Sequence, residues 1–207
     1  MVVNGHALLK KAPIRDMLCL KLSRHGASYG LAEVGYDIRL KQDIRFQPRT
    51  DKIAMDRIAI QGELLKFGRF CIASAIEEFD MPSDLVGIVH DKSTWARKGL
   101  SVFNTVIEPG WRGFLTLELV YHGSEELHLA AGTGIAQVLF HQITEPASYA
   151  GKYQNQEDRP VGAKLQADHY PKLYCDCGGP FVGKPENYHL PDCSFLVGSK
   201  SRRLPDG

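Results

Sequence analysis

A chain of 207 residues is long enough to bury a real core in one domain with appendages. Its 25 Lys and Arg face 24 Asp and Glu, a net charge of +1, which argues against a nucleic-acid-wrapping or membrane-surface protein and leaves room for a local cationic pocket holding a small anion. No run of 18 apolar residues occurs, and the opening MVVNGHALLKKAPIRDMLCLKL lacks a signal-peptide core and cleavage site, so a soluble, cytoplasmic protein is expected, with no nucleic-acid and no membrane partner.

Residues 6–22 mix Leu, Ile, Met and Lys at roughly helical spacing and predict a short N-terminal helix, with Pro13 near its first turn or breaking it. After the Gly-rich SRHGASYGLAEVGYD the period changes. DIRLKQDIRF alternates apolar and polar residues, as a half-buried strand does. The runs LLKFGRFCIASAIEEFDM, DLVGIVHD, LSVFNTVIEP, FLTLELVYH and LHLAAGTGIAQVLFHQI follow, punctuated by Gly, Pro, Asp and Ser. Short strands with turn signals and no intervening long helix predict a mainly β chain, a distorted barrel or jelly-roll-like sandwich, over residues 1–145. The periodicity then fades into a polar segment, 146–165, and ends in a Cys-, Gly- and Pro-rich extension, 166–207. Cys19 and Cys71 stand in apolar contexts and are expected to be buried free thiols. Five cysteines, an odd number, argue against a disulfide framework.

One segment, KSTWARKGLSVFNTVIEPGWRGFLTLEL at 92–119, concentrates charge among strand-forming residues. It holds Lys92, Arg97, Glu108, Arg112 and Glu118, the last enclosed by Leu115, Leu117, Leu119 and Val120. A carboxylate among leucines is costly to leave ionised unless something uses it.

With SYGLAEVGYDIRL at 28–40, GIAQVLF at 134–140 and YAGKYQNQ at 149–156, that segment resembles the dCTP deaminase family, relatives of the trimeric dUTPases. The resemblance runs over residues 14–156 and implies a dUTPase-like β fold, a homotrimer with shared active sites, and deamination of dCTP to dUTP. It puts the phosphate-binding and catalytic strip on Lys92, Ser93, Thr94, Trp95, Ala96 and Arg97, and base recognition on Glu108, where many relatives carry Asp. The catalytic glutamate falls on Glu118, preceded by Thr116 and Leu117, and nucleotide-covering residues on Tyr149, Lys152 and Gln156. Gln137 is either a nucleotide contact or a turn-supporting side chain.

The chemistry fits these residue types. Replacing the exocyclic amine of cytosine by oxygen needs a water, a base for it, a proton for the ring nitrogen and one for departing ammonia. A single partly desolvated carboxyl can serve each step. Ser93, Arg97 and backbone groups around Thr105 and Val106 are expected to orient the water and stabilise charge. Lys92, Ser93 and N–H groups at the start of the Ala96–Gly99 turn suit phosphates, and Mg²⁺ is expected with the triphosphate.

A zinc-dependent deaminase would carry HxE and PCxxC; His122 and Glu125 are wrongly spaced, and Cys175-Asp-Cys177 lacks the proline and the gap. Cys175, Cys177, His189 and Cys193 offer three thiolates and an imidazole, either a structural Zn²⁺ site or unliganded thiols. Rival functions are a bifunctional deaminase that also hydrolyses dUTP to dUMP, a plain dUTPase, which has no need of Glu118, and a non-catalytic nucleotide-sensing module.

Overall fold

Residues 1–47, 57–60 and 63–165 are described by the structure, a computed structural model. The chain divides into two units, Met1–Ala163 and Lys164–Gly207, and every element named here belongs to the first. In order these are β1 (Val2–Val3), α1 (Gly5–Lys11), β2 (Lys21–Arg24), β3 (Ala27–Leu31), β4 (Tyr36–Arg39), β5 (Ile44–Gln47), β6 (Arg57–Ile60) and β7 (Glu63–Phe67). Then come β8 (Phe70–Asp80), β9 (Leu85–Asp91), α2 (Ser93–Ala96), β10 (Leu100–Val102), β11 (Val106–Ile107), β12 (Arg112–Tyr121), β13 (Leu127–Leu129) and β14 (Gly134–Gln142). Cys175, Cys177, His189 and Cys193 lie outside the described residues.

The mainly β expectation holds, with a short N-terminal helix. That helix is shorter than the apolar spacing predicted: it stops at Lys11, and residues 21–24 form a strand instead. Ala12 closes it in a left-handed conformation, its N–H donating to Leu8 O, and Pro13 has no N–H with which to continue the ladder. Lys10 and Lys11 in the last turn suit the negative end of the helix.

Three antiparallel sheets form among the described residues. The largest runs β11-β9-β14-β4-β3-β2, with β1 added against β14; the second is β10-β12-β8 and the third β13-β5-β6-β7. Among the described residues these sheets are not closed into a barrel, so of the two expected forms, a distorted barrel or a jelly-roll-like sandwich, the packed-sheet form is the one seen. The alternation in DIRLKQDIRF is likewise split into β4 and β5, each with its own sheet.

The core sits between the sheets, on Tyr36, Ile38, Phe46, Phe79, Leu117, Leu119, Val138 and Phe140, all nearly inaccessible. Burying one such large apolar side chain contributes about 1.5–3 kcal/mol. Cys71 is buried among them, whereas Cys19 is exposed, contrary to the expectation from its apolar neighbours.

The register of β12 against β8 positions the chemistry. Glu118 lies opposite Ile72 and Thr116 opposite Ser74, until an irregularity leaves residues 75–77 of β8 facing Leu115 alone. There β8 turns to the first sheet: Leu40 bridges Ala75, and buried Glu77 accepts from Arg39 N and Nε at 2.8 and 2.7 Å. That bulge bends β8 so that one strand serves two sheets.

Candidate functional site

Period-two alternation on β12 turns Leu117 and Leu119 into the core and leaves Thr116 and Glu118 on the opposite face, with Leu115, at the register irregularity, buried in the core but also reaching the cavity wall. That face lines a cavity of about 450 Å³ with Phe70, Ile72, Thr105, Val106, Ile107 and Glu108 among its walls. Glu118 Oε2 is buried and has no hydrogen-bond partner among the described residues. Burial raises the Glu118 pKa above the ordinary glutamate value, and a bond to its own backbone offsets this only in part. A carboxyl held this way keeps a proton more readily than a solvated one and takes one from water more readily.

The polar segment after β14 folds over this cavity. Tyr149 N donates to Pro109 O, and Trp111 Nε1 donates to Tyr153 O at 2.7 Å. Gln156 forms a parallel bridge with Gly113 and donates through Nε2 to Thr116 Oγ1 at 2.5 Å; Val161 N donates to the same oxygen at 3.0 Å. Gly113 has a φ of 127°, and a Cβ there would stand 2.5 Å from the Gln156 backbone, so only glycine lets the segment lie this close. Tyr149 and Gln156 thus join Glu108, Thr116 and Glu118 around one cavity, while Lys152 is exposed beside the Tyr153 ring.

The strip at 92–97 lies elsewhere in the chain. Lys92 leaves the end of β9 and caps α2, and with Ser93, Thr94 and Gln137 it lines a cleft of about 310 Å³ whose other walls are Lys21, Ser28, Asp37 and Asp91. Lys92 Nζ donates to Asp37 Oδ2 at 2.5 Å and to Ser28 Oγ at 2.9 Å, and is thus a paired group rather than a solvated surface lysine. Gln137 donates to Val34 O at 3.0 Å. Trp95 is buried, its Nε1 committed to Gly134 O, and Leu117 is buried in the core, so neither side chain lines the cavity or the cleft. Ala96 and Arg97 are exposed.

Within one chain, therefore, Ser93 and Arg97 do not share the cavity of Glu118, whereas Thr105 and Val106 do. Sequence reasoning missed Asp37, Ser28, Lys21 and Asp91 of the cleft, and Trp111 and Tyr153 beside the cavity. Phe70 and Ile72 were readable from alternation once β8 is laid against β12. Asp37 sits inside the motif SYGLAEVGYDIRL, a signal that went unused.

A sequence profile described as dCTP deaminase-like matches residues 20–143. A dCTP deaminase of Acidobacterium capsulatum is 34% identical over 145 residues, 63% of this chain and 79% of that protein. Another, of Campylobacter curvus, is 34% identical over 163 residues, 72% of this chain and 88% of the relative. Among solved structures, a 2'-deoxycytidine 5'-triphosphate deaminase from Agrobacterium tumefaciens superposes with a TM-score of 0.49 at 18% identity, covering 69% of this chain and 48% of that one.

Proposed function

The chain belongs to the dCTP deaminase-like family, and from that premise we propose that it deaminates dCTP to dUTP and ammonia, with Glu118 activating the attacking water and no metal at the reacting carbon. The observation that carries this reading is the buried, partnerless Oε2 of Glu118 on the wall of a cavity that also holds Thr116, Glu108 and Gln156. Glu118 takes a proton from water as oxygen adds to C4 of the base and passes it to the ring nitrogen. It then moves the new hydroxyl's proton to the amine, and the C–N bond breaks with release of ammonia. Glu108 and Gln156 recognise the base, and Tyr149 and Lys152 belong to the segment that covers it.

Lys92, Ser93, Thr94 and Gln137 take the phosphates. The cleft's donors, two ammoniums, hydroxyls and an amide, suit phosphate oxygens. Asp37 and Asp91 each have an oxygen committed, to Lys92 and to Val102 N. Mg²⁺, arriving with the triphosphate, would neutralise part of its charge.

The separation of Ser93 and Arg97 from Glu118 supports a site completed by a second copy. Phe70 and Val106 are exposed on the cavity wall, and the Phe103 ring, also exposed, stands 6.2 Å from that of Phe70. Such an apolar rim suits burial against another subunit, in a homotrimer whose neighbours supply Ser93 and Arg97.

Product analysis after incubation with dCTP and Mg²⁺ tests the whole reading. Accumulation of dUTP with ammonia is expected. Release of dUMP would make the enzyme bifunctional, and unchanged dCTP would overturn catalysis in favour of nucleotide sensing.

A further inference from the structure

Lys92 is placed by two partners that are far from it in sequence. Its ammonium, Asp37 Oδ2 and Ser28 Oγ form a closed triangle: Nζ to Oδ2 2.5 Å, Nζ to Oγ 2.9 Å, and Ser28 Oγ donating to Oδ2 at 2.8 Å. The two charged side chains are 11% and 2% exposed. Asp37 stands in the middle of the largest sheet, opposite Gly30 on β3 and Gln137 on β14, so its carboxylate is fixed by backbone pairing on both sides. Its second oxygen, Oδ1, is buried and has no partner among the described residues. The carboxylate's side-chain hydrogen bonds among the described residues therefore all converge on this triangle.

We propose that Asp37 is a positioning residue that holds Lys92 in the cleft so that its ammonium presents one remaining N–H to a polyphosphate. This rests on reading the cleft as the phosphate subsite. An ammonium has three donors; Asp37 and Ser28 take two, which leaves the third for a ligand and removes the freedom to point it elsewhere. A free lysine would have to give up several rotatable bonds on binding, and a pre-placed one does not.

The sign of one substitution separates positioning from mere proximity. A carboxylate close to a bound polyanion repels it, so neutralising a bystander would tighten binding. Neutralising an anchor releases the lysine, and binding weakens. Lys21, the other cation of the cleft, is paired with Glu33 at 2.6 Å and does not replace the anchor.

The probe is inorganic tripolyphosphate, titrated calorimetrically into the full-length protein, with steady-state dCTP kinetics alongside. Lys92→Ala is expected to weaken tripolyphosphate roughly tenfold, the loss of one charge-assisted hydrogen bond. Asp37→Asn is expected to weaken it by a similar factor of about ten, to raise KM for dCTP in proportion, and to change kcat far less. In the Lys92→Ala background, Asp37→Asn should cause no further loss, because its weakening effect passes through the lysine, and it should if anything tighten binding by removing a carboxylate left without its partner. Ser28→Ala, which leaves both charges in place, should cost about threefold, and it decides the matter if Asp37→Asn does not fold.

Tripolyphosphate affinity that is unchanged or tighter in Asp37→Asn, an additive loss in the double variant, or an unchanged affinity in Ser28→Ala where Asp37→Asn does not fold would overturn the positioning role and leave the phosphate subsite standing. If Lys92→Ala itself leaves affinity unchanged, the phosphate reading of the cleft falls and this inference with it.

Discussion

Replacing Glu118 by Gln should push activity and stability in opposite directions. The amide keeps the length and shape of the side chain and removes the group that ionises. Loss of a general acid–base group costs about 10² to 10⁴ in rate, or roughly 3–5 kcal/mol on the barrier. Stability should move the other way, because the wild-type carboxyl is ionised at a position where Oε2 has no partner. Burial raises the folded-state pKa of Glu118, so below the unfolded value of about 4.3 both states are protonated and Glu and Gln should be equivalent. Above it the unfolded chain ionises freely while the folded one resists, and wild-type protein loses stability as pH rises through the folded pKa. The variant has no such loss.

An ionised carboxyl in this partly desolvated place costs more than the neutral amide that replaces it; since the side chain as a whole is only half-buried, solvent screening holds the difference to about 1 kcal/mol. For a chain of this size that is a gain of roughly 2–4 °C in Tm at pH 8, vanishing near pH 4. Circular dichroism melts of both proteins at one concentration and two pH values measure it, and ammonia release measures turnover. Equal Tm differences at the two pH values, or turnover kept within about threefold when a loss of 10² or more is expected, would refute this account of Glu118.

Three further outcomes follow from the same geometry. Thr116→Val keeps shape but removes the oxygen that accepts from Gln156 and Val161; KM for dCTP should rise about tenfold, and amide exchange over residues 154–161 should quicken, with unchanged protection counting against the covering role. Glu77→Ala strands Arg39 beside the bend in β8 and should cost about 3 kcal/mol, read from the urea midpoint; a loss well under 1 kcal/mol, a surface-pair value, would show the pair to be incidental. A zinc-selective chelator should leave dCTP turnover intact while Mg²⁺ removal raises KM through the triphosphate; turnover lost on zinc removal alone and restored by zinc would place the chemistry on that metal. Metal analysis of the same washed protein decides between a zinc site on Cys175, Cys177, His189 and Cys193 and unliganded thiols.

The strands were legible wherever local alternation meets one buried face, as in β8, β12 and β14. Glu118 stood out because leucines at its odd-numbered neighbours have a core to fill, which leaves the even positions for something else. Of the two expectations for Pro13, breaking the helix is the one that holds: the apolar residues after it serve a bridge at Ile14 and the approach to β2, not a longer helix. The choice between a distorted barrel and packed open sheets was not legible, because closure depends on how sheet edges meet and not on any run of residues. Asp37 and Lys92 are 55 positions apart and Gln156 and Thr116 are 40 apart. Such pairs arise only from non-local register, which a pattern read along the chain does not contain.

Both tryptophans of this chain sit at informative places, which gives the protein a native optical readout. Trp111 packs against Phe79 at a ring distance of 6.0 Å and holds the Tyr153 carbonyl, so its indole spans the core and the covering segment. Trp95 is bonded to the Gly134 carbonyl within α2, beside the lysine-lined cleft. Detachment of residues 149–161 would break the Trp111 hydrogen bond and wet one face of its ring, shifting its emission to longer wavelength while Trp95 stays as it is. A Trp95→Phe protein would then report opening and closing through a single fluorophore, in real time and without a label.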